Sequence, residues 1–185
     1  MRCVERVFRR AGLPLRFSAG FHPKPRMSFP SALALGIEGL DEVLEVELTA
    51  PVEAAELMQR LTVQSPPGLN FHKVELLPAG APKARLHSTC YELLLPPQYA
   101  SGLQSRVEHL LATAQWSVQR PGRRNALDLR AQVLELACTG DKLRIRLRAT
   151  DRGGVSPRDV LAALGLEGVE AQGARLCRIV VEVQP

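Results

Sequence analysis

The hydrophobic patterning predicts an α+β fold built as two ferredoxin-like halves in tandem, each a split βαβ unit. Three observations predict it. Helical and strand-like periods alternate along the 185 residues. The stretch 79–83, AGAPK, joins small residues, glycine and proline between two strand patterns and reads as a linker. On both sides of it the element order matches βαββαβ, except that the first half lacks its leading N-terminal strand. The expected units are residues 1–80, carrying a basic and aromatic loop, and residues 83–185.

In the first half, residues 2–11 place Val4, Val7, Phe8 and Ala11 on one helical face and Arg2, Glu5, Arg6, Arg9 and Arg10 on the other. Gly12 is the expected stop, with Pro14 beyond it. A short strand over 15–17 leads into an irregular loop and an apolar connection, SALALGIEG. Residues 42–49 alternate Val43, Glu45, Glu47 and Thr49 against Leu44, Val46 and Leu48, the pattern of a half-buried strand. Pro51 opens a helix carrying Val52, Ala55, Leu57 and Leu61, with Thr49 as its expected cap, and a further strand is expected over 69–77.

The second half reads as a strand over 86–95, a helix over 97–114, a short strand over 116–119 and a basic turn over 121–124. Residues 128–138 and 143–149 then form a hairpin, with Gly140 in its turn. Ser156 caps a helix over 157–164, and a strand over 176–183 closes the unit.

Composition narrows the function classes. Hydrophobic residues make up 45% and aromatics 4%, so the core is aliphatic and large enough for a globular protein. Lys plus Arg is 24 against 19 for Asp plus Glu, a net of +5. The excess is uneven. Residues 2–24 hold Glu5 as their single acid among many bases, whereas 38–56 hold acids and no base. Such asymmetry suits either a polyanionic partner, nucleic acid first, or a solvated face. Cys3, Cys90, Cys138 and Cys177 lack metal or cluster spacing and read as free thiols in a reducing compartment, with no cofactor expected. No apolar run reaches the roughly 20 residues of a membrane span, and no signal peptide is evident, so the expected location is the cytoplasm.

Residues 15–36, LRFSAGFHPKPRMSFPSALALG, concentrate the candidate chemistry. Pro23 and Pro25 favour a stiff extended run over 22–26 that presents its cations outward. Arg16, Lys24 and Arg26 suit phosphates, and Phe21 or Phe29 suits stacking on an unpaired base, although Phe17 and Phe29 equally suit the core. His22 is the candidate general acid or base if the chain is an enzyme; otherwise it packs on Phe17 or Phe29 and bonds a loop carbonyl. Arg144, Arg146 and Arg148 alternate with Leu143, Ile145 and Leu147, setting three guanidiniums on one strand face. That stripe suits a polyanion, or simply guards a sheet edge. The turn with Arg120, Arg123 and Arg124 carries less weight, and no histidine pair has metal-ligand spacing.

The run over 2–48, with GFHPKPRMSF at its centre, together with the later DLRAQV, RIRLRAT and VSPRDVLAALGL, closely resembles the bacterial radical SAM-linked family, the uncharacterised domain family DUF2344. The resemblance covers nearly the whole chain. It implies a radical SAM enzyme as partner, because members are fused to one that binds cobalamin or are encoded near one. The three closely spaced cysteines of such an enzyme are absent, so its reaction is not expected in this chain. Members also carry a leading strand and a Ser-His-Leu-Asp type turn ahead of the match to Met1 and Arg2. Their absence suggests a truncated gene model or a shortened first unit, and an open sheet edge that would favour strand addition or a homodimer.

Three functions follow as expectations. The first is a non-catalytic, RNA-binding or substrate-presenting accessory to a radical SAM enzyme acting in RNA or ribosome-related modification. The second is a metal-independent ribonuclease-like enzyme using His22. The third is a protein-interaction module without nucleic acid.

Overall fold

A computed structural model describes residues 2–120, 126–150 and 154–184. The elements are α1 (Arg2–Arg10), β1 (Met27–Ser28), β2 (Glu38–Gly39), β3 (Glu45–Val46), α2 (Ala54–Gln64), β4 (Arg85–Leu94), α3 (Leu103–Ala112), β5 (Ser117–Val118), β6 (Leu127–Asp128), β7 (Val133–Thr139), β8 (Lys142–Arg148), α4 (Pro157–Ala163) and β9 (Leu176–Gln184). The chain is a mixed α+β protein of two compact units. The first holds residues 1–29 and 44–83, and the second holds 30–43 and 84–184. Residues 30–43, placed with the first half by the sequence reading, therefore belong to the second unit.

In the first unit the two helices close over a core of Val7, Phe8, Leu13, Leu15, Leu57 and Leu61. Phe8 meets Phe71 edge to face, with centroids 5.8 Å apart. The sheet here is smaller than expected. Its ladder pairs Met27 with Val46 and Ser28 with Glu45, and single bridges join Leu15 to Leu48 and Phe17 to Pro25. The expected strand over 69–77 does not form. Leu69, Phe71 and Val74 pack on the helical core, and the stretch forms no ladder. Helix α2 begins at Ala54, after Glu53 and without a side-chain cap; Thr49 instead donates its hydroxyl to the Pro14 carbonyl, 3.1 Å away.

The second unit is built on a five-stranded sheet in the order β2-β9-β4-β8-β7. Strands β9, β4, β8 and β7 are antiparallel neighbours, and β2 joins the β9 edge in parallel. Tyr91, Leu93, Leu143, Ile145, Leu147 and Leu176 from the sheet, with Leu103, Val107 and Leu110 of α3 and Val160 and Leu161 of α4, form one buried cluster. The alternation of β8 produces this face: Leu143, Ile145 and Leu147 are buried and Lys142, Arg144, Arg146 and Arg148 between and beside them are not. Ser156 caps α4 as expected, in a reciprocal capping box with Asp159. The expected long helix over 97–114 is broken. A 3-10 turn spans Pro97–Tyr99 and the α-helix begins after Gly102, whose φ of 67° lies in the left-handed region. The turn expected over 121–124 lies outside the described residues.

Strand β9 carries the most buried charge among the described residues of the unit. Arg178 is 1% exposed, and its guanidinium donates to Glu42 Oε1 at 2.7 Å, to Glu42 Oε2, to Ser31 Oγ at 2.8 Å and to the carbonyls of Ser31 and Ala32 at 3.1 and 3.3 Å. Burial opposes its charge, but the Glu42 carboxylate more than offsets this and holds the guanidinium above its ordinary pKa. Gly39 makes room for that carboxylate: a Cβ there would fall 2.7 Å from Glu42 Oε1.

Candidate nucleic-acid interface

The loop of the first unit is a hydrogen-bonded, irregular hairpin. Arg26 N–H donates to the Arg16 carbonyl at 2.8 Å, Ser18 N–H to the Lys24 carbonyl at 2.8 Å, and Lys24 N–H to Ser18 Oγ at 3.1 Å. The third partner is the β3 segment, where Arg16 N–H donates to the Glu47 carbonyl at 2.8 Å and Glu47 N–H to the Arg26 carbonyl at 3.0 Å. Residues 16, 26 and 47 are thus locked together through the backbone. The tip, residues 19–23, is left outside the ladder, and it turns at Gly20, whose φ of 120° disfavours any side chain.

This frame decides where each candidate side chain points. Phe21 is fully exposed at the tip, at 102% relative accessibility, and His22 and Lys24 beside it are also exposed. Phe29 is half-buried and Phe17 partly exposed, so Phe21 is the aromatic the hairpin presents. Arg16 and Arg26 share one carboxylate, Glu47, at 3.9 and 3.3 Å. Glu45, two residues earlier on the same segment, accepts from Ser28 Oγ at 3.1 Å, and Lys24 forms no ion pair among the described residues. Among the described residues His22 has no side-chain hydrogen bond, and no nucleophile or second acid is joined to it.

The arginine stripe of the second unit has different surroundings. Arg144 pairs with Glu92 at 2.6 Å, and Lys142 approaches the same carboxylate at 3.4 Å. Arg146 pairs with Glu182 and donates to Ser88 Oγ at 3.2 Å. Bonding to Arg144, working against burial, holds Glu92 below the usual carboxylate range; Ser88 and Arg146 do the same for Glu182. Only Arg148 of the three forms no ion pair among the described residues. Strand register explains this, since Arg144 lies opposite Glu92 on β4 and Ser88 lies opposite Glu182 on β9. Each surface therefore pairs two of its three candidate cations, Arg144 and Arg146 on the sheet face and Arg16 and Arg26 on the hairpin, where both share Glu47.

Arg120 outside this face is engaged with Asp159 at the start of α4. Burial raises the Asp159 pKa, but Arg120 and Ser156 outweigh it and hold the carboxyl below its ordinary value. Among the described residues, no three His, Cys, Asp or Glu side chains are grouped to hold a metal ion, and no helix is long and apolar enough to cross a membrane.

Sequence reasoning missed two parts of these arrangements. One is Glu47, whose place between Arg16 and Arg26 depends on hairpin register. The other is the Arg178 and Glu42 clamp, for which the one signal was a lone arginine inside the apolar run LCRIVVEV. No curated protein and no solved structure matches the chain. A family model described as an uncharacterised protein conserved in bacteria matches residues 1–157, a span that contains the whole hairpin and most of the second sheet, and the chain therefore belongs to the DUF2344 family.

Proposed function

We propose that the chain is a non-catalytic RNA-binding accessory that acts in the cytoplasm with a radical SAM enzyme on RNA or a ribosome-related substrate. The observation that carries this reading is the complete exposure of Phe21 at the tip of a backbone-locked, cationic hairpin. An exposed ring beside exposed basic side chains suits an unpaired base flanked by phosphates, because stacking and charge then act on adjoining parts of one ligand. Preorganisation of the hairpin base supports it further, since residues 16, 18, 24 and 26 are already bonded through the backbone before a ligand arrives. The radical SAM partner rests on the family resemblance alone. We also read the second unit as a ferredoxin-like platform: its β4-α3-β7-β8-α4-β9 order with β9-β4-β8-β7 adjacency is that of a split βαβ sheet. The first unit is then a reduced counterpart that carries the hairpin.

The test is fluorescence polarisation of the full chain with single-stranded and structured RNA at two salt concentrations, beside Phe21→Ala and an Arg16, Lys24, Arg26→Ala triple variant. Phe21→Ala should weaken single-strand binding by at least about fivefold, the low end for one base stack, at unchanged salt slope. The triple variant should flatten the slope of log affinity against log salt by about 2, three phosphate contacts at roughly 0.7 each. Absence of RNA binding by the unaltered chain at low salt would overturn the reading.

A further inference from the structure

The geometry points to Arg9 as a second nucleobase platform, with an unpaired base of single-stranded RNA stacking on the guanidinium face that Phe17 leaves open. The inference rests on the RNA-binding reading and deepens it by extending the site from the hairpin tip to helix α1. Arg9 is unusually constrained for a surface arginine. Its Nε and Nη2 donate to Glu5 Oε1 at 3.1 and 3.0 Å, which fixes one edge of the guanidinium from the preceding helical turn. Its Cζ lies over the Phe17 ring, 5.1 Å from the centroid, which covers one side. The side chain nonetheless remains 47% exposed.

A long side chain held at its edge and on one side, yet half in water, is a planar cation presented to solvent. Glu5 occupies the edge formed by Nε and Nη2, and the Nη1 donors are left for other partners. The surface of the plane is open as well, and guanidinium planes stack on nucleobases. Phe17 itself is 39% exposed, so the stack stands on an open part of the unit. Connectivity joins it to the proposed site. Phe17 belongs to the same hairpin as Phe21, adjoins Arg16 in sequence and bridges Pro25 between Lys24 and Arg26. One strand of RNA could thus place a base at Arg9, phosphates along Arg16, Lys24 and Arg26, and another base at Phe21. Duplex RNA has no free base faces to offer at these two places.

The test compares the unaltered chain with Arg9→Lys and Arg9→Ala, using three labelled probes: an oligoadenylate, an abasic oligonucleotide of equal length, and inorganic polyphosphate. Arg9→Lys keeps the charge and removes the plane. It should weaken oligoadenylate binding by at least about fivefold while leaving the abasic and polyphosphate affinities within about twofold. Arg9→Ala should weaken all three, the oligoadenylate most. Equal oligoadenylate affinity for Arg9→Lys and the unaltered chain would overturn the inference, and a Phe21-dependent signal in the same experiment would leave the RNA-binding reading standing. Equal loss on all probes with Arg9→Lys would also overturn it. Failure of the unaltered chain to bind any probe would overturn both. Thermal melts of the Arg9 variants matching the unaltered chain within about 2 °C show that the losses are not unfolding.

Discussion

Replacing Arg178 with methionine should destabilise the second unit by about 3 kcal/mol. Truncation of one member of a buried ion pair costs roughly 3–5 kcal/mol, mostly because the partner keeps its charge without compensation. Here the partner, Glu42, is 24% exposed at its side chain and can recover some hydration, which argues for the lower end. The carbonyls of Ser31 and Ala32 lose their donors as well. For a unit of this size, a urea dependence of roughly 1.5 kcal/mol per molar converts 3 kcal/mol into a midpoint about 2 M lower. The chain has a single tryptophan, Trp116, packed against the second core, so its fluorescence reports this unit. Hydrogen exchange over 30–43 should rise before global unfolding, because Arg178 is what ties Ser31, Ala32 and Glu42 to β9. A double variant, Arg178→Met with Glu42→Leu, should recover part of the loss, since no charge is then stranded. Gly39→Ala should reproduce a milder form of the defect by displacing the carboxylate. A single Arg178→Met variant unfolding within about 0.5 kcal/mol of the unaltered chain, or a strictly additive double variant, would refute this reasoning.

Phe8→Ala should cost the first unit about 3–5 kcal/mol, because the ring is 3% exposed and meets Phe71 across the core. Its unfolding should appear in far-ultraviolet circular dichroism with little change at Trp116. Ser156→Ala should destabilise the second unit by about 1 kcal/mol through loss of the α4 cap, read as a lower urea midpoint. Acidification should act through Asp159. Its folded pKa is lowered below the ordinary 3.8, so its contribution is present above that value and disappears as pH falls through the folded pKa. Acid titration followed at Trp116 should therefore fall less steeply below pH 4 in Asp159→Asn; an unchanged acid limb would count against the Arg120 and Asp159 pairing.

The parts of the fold that could be read in advance are those whose cause is local. The period-2 alternation of KLRIRLR needs only its own residues to declare one apolar face, and Ser156-Pro157 declares a helix start. The strand expected over 69–77 does not form because a strand also needs a neighbour with free backbone groups, and the first unit's ladder ends after two residues a side. Residues 30–43 had no local mark of their true unit, since the arginine that holds Ser31 lies 147 positions away. Distance along the chain likewise hid the state of the arginine stripe. Arg144 and Glu92 are 52 residues apart, and only strand register shows that they neutralise each other. That same register shifts the weight of the candidate site toward the hairpin. Arg144 and Arg146 are occupied within their own sheet, whereas Phe21 has no packing at all. Burying a phenylalanine contributes about 1.5–3 kcal/mol to folding, and a protein with five of them forgoes that contribution at the tip of an otherwise well-bonded hairpin. The base of the hairpin is ordered by the bonds among residues 16, 26 and 47 and between 18 and 24, so Phe21 stands at the tip of a built frame.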